Sequence, residues 1–143
     1  MDKLDEEIVN LVSNGCVRYT NISRKLGIPT STAHARIKRL EKSGVIRGYR
    51  GEIDWKKAGL GLTAYILVNI DVDVLKRMDI TQERLLKRLL AVPFVTGGDI
   101  ITGESDLLIR VVAKDTTDLR EIILGHIGQI GGIAKTKTMI VLD

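Results

Sequence analysis

The chain has 143 residues, of which 44% are hydrophobic and 28% are charged, a balance that is ordinary for a globular protein. No apolar run approaches the ~18 residues that a membrane-spanning helix needs. Its start is acidic and has no secretory signal pattern, so we expect a cytoplasmic protein. Cys16 is the only cysteine, which excludes an intrachain disulfide and a cysteine-based metal cluster.

The formal net charge of +4 is distributed unevenly along the chain. Residues 18–50 contain nine Lys or Arg and one acid, a local charge of +8, whereas residues 51–143 contain twelve basic and thirteen acidic residues. A basic surface that is merely solvated normally includes acids as well. The asymmetry therefore predicts a polyanion-binding segment that is followed by a nearly neutral remainder.

Residues 1–50 have the pattern of three short helices. Apolar residues recur at helical spacing in the first segment, beginning at Leu4. A second helix of about two turns ends at Gly27, because glycine adopts the left-handed conformation at no steric cost. Pro29 blocks its continuation, and a third helix runs to Ser43. Three helices with a tight second turn predict a helix-turn-helix domain.

The third helix separates an apolar face from a polar and cationic one. At about 100° per residue, Ala33, Ile37 and Leu40 lie together and are expected to pack on the first two helices. The opposite face begins with small polar residues and ends with cations, which suits a helix that enters a major groove and meets phosphates with its later turns. Arg36 points sideways and is also a candidate for bracing the domain. The predicted DNA-contacting residues are Arg24, Lys25, Thr30, Ser31, Thr32, His34, Ala35, Arg36, Lys38, Arg39, Lys42 and Arg47.

A change of composition follows the third helix. Residues 45–54 are predicted to form a short strand, and residues 51–61 are assigned as a linker strand and connector rich in glycine and lysine. From Leu62 to Val72, apolar residues then alternate with more polar ones, which indicates a long half-buried strand.

Two helices and three more strands complete the predicted second domain, residues 62–143. One helix follows Thr81, two strands meet in a hairpin at residues 103–105, and a second helix precedes the last strand at residues 133–142. The order βαββαβ predicts an α+β, ferredoxin-like domain with an antiparallel sheet and both helices on one face.

The other face of that sheet is expected to expose apolar residues, among them Leu67, Met139 and Val141. An exposed apolar patch of this kind predicts self-association.

Four stretches of the sequence resemble the Lrp/AsnC family of feast/famine transcription regulators. They read "LDEEIVNLV", "ISRKLGI", "RIKRLEKSGVIRGY" and "VTGGDIITGESDLLIRV". The resemblance covers nearly the whole chain. It implies an N-terminal DNA-binding domain, a linker strand, and a C-terminal domain that dimerises, usually assembles dimers into octamers, and binds amino acids.

The resemblance also implies an effector site between dimers, at the turn after the second strand. Glycine there lets backbone amides approach a carboxylate, and an acid can pair with an ammonium group. Many relatives carry an acid and then an aromatic residue at the two middle positions of this turn, which this chain fills with Glu104 and Ser105. The alternative is a plain hairpin turn, with Asp106 bonding local amides. The predicted effector-contacting residues are Thr102, Gly103, Glu104, Ser105 and Asp106.

Together these patterns predict a sequence-specific regulator that places two recognition helices per dimer in successive major grooves. The alternative is an architectural protein that wraps DNA with little sequence preference. An active site at Asp99, Glu104 and Asp106 is disfavoured because both histidines lie elsewhere, His34 on the third helix and His126 as an expected packing residue. RNA binding is disfavoured because the third strand of the second domain has no aromatic residue on which bases could stack. Neither enzymatic activity nor a cofactor is predicted.

Overall fold

Three helices form the first unit of the chain. They are α1 (Lys3–Ser13), α2 (Tyr19–Leu26) and α3 (Thr30–Lys42). The computed structural model describes residues 1–143, which divide into two units, Met1–Glu52 and Ile53–Asp143. Gly27 ends α2 in the left-handed conformation at φ 64°, and Pro29 lies at the start of α3. The predicted helix-turn-helix is confirmed.

One face of each helix is buried in a shared apolar core. The three α3 residues predicted for the inner face are at most 3% exposed, so the periodicity placed this face correctly. Burial of each of the two larger side chains, Ile37 and Leu40, stabilises the fold by about 1.5–3 kcal/mol relative to exposure. The buried apolar residues of the unit are Ile8, Ile22, Ala33, Ile37, Leu40 and Ile46.

The chain after α3 contains no strand until Leu62, so the predictions of a strand at residues 45–54 and of a linker strand within residues 51–61 are wrong. A strand needs a neighbour with which to exchange backbone hydrogen bonds, and no other segment of this chain pairs with residues 45–61. Its hydrogen bonds are local instead. Asp54 Oδ1 accepts from the Lys57 amide at 3.0 Å, and the Leu60 amide donates to the Trp55 carbonyl at 2.8 Å.

A four-stranded antiparallel sheet organises the second unit. The strands are β1 (Leu62–Ile70), β2 (Val95–Ile100), β3 (Leu107–Ala113) and β4 (Ile133–Ile140), and the helices are α4 (Val72–Met78), α5 (Gln82–Leu90) and α6 (Thr116–Glu121). The strand order is β2-β3-β1-β4, with β1 pairing with both β3 and β4. Buried residues of α5 and α6, including Leu85, Leu89 and Leu119, pack with Ile66 and Ile109 of the sheet in one core. The predicted α+β, ferredoxin-like arrangement is confirmed.

Helix α4 was not predicted from the sequence. Val72, expected as the last inward residue of the first strand, instead begins α4 and is 54% exposed. The Asp71 carboxylate accepts from the Val74 amide at 3.2 Å and caps this helix. The apolar alternation continues past the point where the cap turns the chain, and it therefore overestimates the length of β1.

The helix before β4 is irregular. After α6 the chain continues as a π-helical segment, Ile122–His126, and a 3₁₀ segment, Ile127–Gln129. Gly125 and Gly128 weaken regular helix in this stretch. His126 is exposed, so its prediction as a partly buried packing residue is wrong.

The face of the sheet opposite the helices is uncovered within the chain. Tyr65 of β1 is 36% exposed and lies between Arg110 of β3 and Met139 of β4, which is 42% exposed. Leu67 is half-buried, and Val141 beyond β4 is 38% exposed. The predicted apolar open face is confirmed.

No helix of the fold could span a lipid bilayer; α3, the longest, has 13 residues.

Candidate nucleic-acid interface and ligand-binding turn

The outer face of α3 carries the side chains that the helical period placed opposite the core. Ser31, His34 and Ala35 are exposed in its first half, and Lys38 and Lys42 are exposed in its second half. Thr32 is half-buried, and the exposed Thr30 hydroxyl donates to Ser23 Oγ at 3.3 Å. The helix therefore presents small polar groups first and cations later on its outer face.

Arg36 and Arg39 of α3 are tied to a buried carboxylate on α1. Asp5 has a side chain that is only 4% exposed, and it accepts from Arg36 Nη1 at 3.2 Å and from Arg39 Nη2 at 2.8 Å. Arg36 also pairs with Asp2. A buried carboxylate is tolerated only when such partners compensate its charge. The ion pairs thus hold this side of α3 against α1.

The same ion pairs shift two pKa values. The hydrogen bond from the Arg36 guanidinium, followed by that from the Asp5 amide, lowers the pKa of the Asp2 carboxyl. In turn the Asp2 and Asp5 carboxylates raise the pKa of Arg36, which remains charged.

Tyr19, the first residue of α2, lies beside the outer face of α3. Its ring contacts the ring of His34 edge to face, with centroids 4.6 Å apart and planes at 72°. The nearby Tyr19 hydroxyl is the largest cause that raises the pKa of Lys38. A smaller cause is Glu41, whose carboxylate lies 3.8 Å from Lys38 Nζ. The sequence pattern assigned no role to this tyrosine.

Three further predicted DNA-contacting cations lie outside α3. Arg24 and Lys25 are exposed at the end of α2, and Arg47 is exposed after α3. Arg24 Nη2 donates to Asn21 Oδ1 at 3.3 Å. None of these three cations forms a salt bridge with an acid of the chain, so their charges are available to an external anion.

The turn between β2 and β3 is attached to β1 by side-chain hydrogen bonds. Ser105, 8% exposed, donates from Oγ to Asn69 Oδ1 at 3.2 Å, and Asn69 Nδ2 donates to the Glu104 carbonyl at 2.8 Å. Asp106 Oδ2 accepts from the Ile70 amide at 2.8 Å. Asn69 was missed from the sequence; the signal available was an amide among the apolar residues of β1.

The exposed part of this turn consists of Thr102, Gly103 and Glu104. Gly103 has φ 123°, a backbone conformation that residues with a Cβ rarely adopt. The Glu104 carbonyl is occupied by Asn69, whereas its carboxylate points to no partner in the chain. The Asp106 carboxylate is committed to a backbone amide, which fits the hairpin-turn alternative for this residue.

A cationic helix-turn-helix unit and a separate ferredoxin-like unit define a DNA-binding transcription regulator with its own small-molecule-binding domain. Residues 1–47 match the family model described as winged helix-turn-helix DNA-binding, and residues 63–143 match the one described as Lrp/AsnC ligand binding domain. The chain belongs to the Lrp/AsnC family of transcription regulators.

Relatives of known sequence agree with this assignment. An uncharacterised HTH-type transcriptional regulator of Pyrococcus abyssi is 35% identical over 144 residues, which cover 100% of this chain and 93% of the relative. The HTH-type transcriptional regulator AldR of Mycolicibacterium smegmatis is 31% identical over 147 residues, covering 100% of this chain and 82% of the relative.

Two solved structures share the fold over the full chain. A transcriptional regulator from Neisseria meningitidis in complex with L-Met has a TM-score of 0.80 at 26% identity and covers 100% of this chain and 90% of its own. AsnC of Escherichia coli has a TM-score of 0.74 at 25% identity, with coverage of 100% and 93%.

Proposed function

We propose that the chain is a sequence-specific regulator whose α3 enters the major groove of duplex DNA. The observation that carries this proposal is the division of α3 into a buried face and an outer face that begins with Ser31 and ends with Lys42. Small residues permit close approach to base edges, and hydroxyl or imidazole groups can donate or accept there. We assign base contacts to Ser31, Thr32, His34 and Ala35, with Thr30 at the groove edge.

The cations of the helix-turn-helix unit divide into those that pair with a buried carboxylate and those that do not. Those without a buried partner supply the phosphate contacts. Arg36 is held by two carboxylates and serves to brace α3 on α1. Arg39 combines both roles, because its side chain is 61% exposed and a guanidinium has five N–H donors, so that one nitrogen can hold Asp5 while others face a phosphate. The phosphate-contacting group is Arg24, Lys25, Lys38, Lys42, Arg47 and, in part, Arg39.

The uncovered face of the sheet serves self-association in this proposal. Tyr65, Met139 and Val141 expose apolar surface that a second copy can cover, and a dimer places two α3 helices on one duplex. Octamers are the larger assembly that the family resemblance implies. Sedimentation of the parent and of Met139→Glu tests the surface: we expect the variant to shift towards monomer, and an unchanged assembly contradicts the assignment.

We further propose that the turn at residues 102–106 contacts an amino acid or a related metabolite. Because Gly103 has no side chain, the carboxylate of a ligand can approach the backbone amides of the turn. The exposed carboxylate of Glu104 can pair with the ammonium group of the ligand. The L-Met complex of the Neisseria meningitidis regulator supports this ligand class. Ser105 and Asp106 hold the turn in place through Asn69 and Ile70.

Selection of bound duplexes from a random pool tests the DNA-binding proposal. We expect the parent protein to prefer the selected duplex to random DNA by about 10³ or more, whereas an architectural, wrapping protein binds both alike. Thr32→Ala and His34→Ala should alter the preferred sequence, and Lys38→Ala should weaken binding to all duplexes. Parent-like binding by all three variants would mean that α3 is not the recognition helix.

Calorimetry with the standard amino acids tests the effector proposal. We expect heat with at least one of them, and loss of that heat in Glu104→Gln, which keeps the size of the side chain and removes its charge. Glu83→Gln, an exposed acid on α5, is the matched control. Absence of heat with every amino acid removes the effector claim and leaves the DNA-binding claim standing.

A further inference from the structure

Tyr19 occupies the junction between the apolar core and the outer face of α3. It is half-buried and packs against the core of the first unit, at the start of α2. From this fixed position its ring reaches the exposed ring of His34, edge to face at 4.6 Å. A partly buried aromatic residue on one helix therefore contacts an exposed histidine on another.

This contact limits where the imidazole can point. An exposed histidine ordinarily samples several rotamers, and an edge-to-face partner favours the one in which the two rings meet. Reading a base edge requires a donor or acceptor at a fixed distance and angle, because hydrogen bonds weaken steeply with misalignment. Holding the imidazole in one orientation thus restricts which base it can recognise.

We propose that Tyr19 is a positioning residue for base recognition, which orients the His34 imidazole on the outer face of α3 and thereby sets part of the sequence preference. The inference rests on the proposed placement of α3 in the major groove. The hydroxyl end of the same side chain lies towards Lys38, whose pKa it raises. Tyr19 thus stands between a base-contacting residue and a phosphate-contacting one without itself belonging to α3.

The contact can be measured in the free full-length protein. The chain has only two histidines, His34 and His126, so their imidazole proton signals are simple to assign by substitution. We expect Tyr19→Leu to move the His34 signals, because the ring current of the tyrosine is lost, and to leave those of His126 in place. Tyr19→Phe, which keeps the ring, should leave both histidines unchanged.

The consequence is measured with the duplex that the parent protein selects from a random pool and with its single-base-pair variants. We expect His34→Ala to lose about fivefold in discrimination at the base pairs that it contacts, the lower end for a single base contact. Tyr19→Leu should lose discrimination at those same base pairs, by a similar factor. Tyr19→Phe should retain it, and Tyr19→Leu combined with His34→Ala should lose no more than His34→Ala alone.

A merely structural role for Tyr19 gives a different result. In that case Tyr19→Leu weakens binding to all duplexes evenly, or adds its loss to that of His34→Ala, and the proposal is overturned. It is equally overturned when His34→Ala leaves discrimination intact. If Lys42→Ala still lowers the salt dependence of binding in that event, the proposed DNA-contacting face survives while the role of Tyr19 does not.

Discussion

Replacing Lys42 by alanine should change the salt dependence of DNA binding, whereas replacing Arg36 should not. Both residues are cations of α3, and sequence alone places both among the predicted DNA contacts. The structure distinguishes them: Lys42 is exposed and forms no salt bridge, whereas the Arg36 side chain is 27% exposed and pairs with Asp2 and Asp5. Only a cation that neutralises a phosphate, and thereby releases a counterion condensed on the DNA, contributes to the salt slope.

The size of the effect follows from counterion release. Each phosphate contact contributes about −0.9 to the slope of log affinity against log salt, so two copies of Lys42 in a dimer contribute about −1.8. Over a fourfold rise in salt, from about 50 to about 200 mM, the parent should lose about 12-fold more affinity than Lys42→Ala. Arg36→Ala should keep the parent slope and lower the thermal stability of the helix-turn-helix unit instead.

Fluorescence anisotropy with a labelled duplex, titrated at several salt concentrations, measures these slopes. Lys114→Ala is the matched control, because it removes the same charge from an exposed position in the second unit. The reasoning is refuted if Arg36→Ala flattens the slope as much as Lys42→Ala does. It is also refuted if Lys114→Ala does so, since net charge alone would then explain the effect.

Two further predictions concern stability. At Gly132, which has φ 99°, an added Cβ would force the buried Leu75 side chain to shift. Backbone strain and overpacking in Gly132→Ala should therefore lower the free energy of unfolding in urea by about 2–5 kcal/mol. Gly125→Ala, with open space and an ordinary backbone, should not lower it. Arg36 lowers the pKa of Asp2 in the folded chain. The ionised Asp2 carboxylate therefore contributes fully to folding stability above its unfolded pKa of about 3.9, and this contribution is lost as the pH falls further. Asp2→Asn should therefore lessen the acid sensitivity of the α1 amide NMR signals below about pH 4, and an unchanged acid transition contradicts this.

Much of the fold follows from periodicity because periodicity reports burial. The spacing of Ala33, Ile37 and Leu40 placed the inner face of α3 correctly, and the alternation in β1 identified both faces of the sheet. The predictions that failed concern residues whose structure depends on a pairing strand or a capping side chain. Residues 45–54 have strand-like composition but no neighbouring strand within the chain, and Val72 continues an apolar alternation that a capping aspartate has already ended.

In the candidate site, too, features set by local spacing could be predicted, whereas contacts between distant residues could not. The cations of α3 could be found from the sequence, because their spacing sets them opposite the core. The sequence could not show which of these cations are paired with acids. Asp5 lies 31 residues before Arg36 and 34 before Arg39, and only the packing of α1 on α3 brings them together. The link between Asn69 and Ser105, 36 residues apart, was hidden for the same reason.

The attachment of the turn to β1 joins two surfaces that the proposed function treats separately. Asn69 lies on the same face of β1 as Tyr65 and Leu67, because the three residues are spaced two apart, so it belongs to the open sheet face. Its amide group nevertheless holds the Glu104 carbonyl and the Ser105 hydroxyl. In the proposed function, a metabolite that displaces these bonds also alters the surface on which copies of the chain are proposed to meet. Occupancy of the turn and assembly of the protein are then thermodynamically linked, and each changes the other by the same factor. Under that proposal, the concentration of the protein in the cell also affects its apparent affinity for the metabolite.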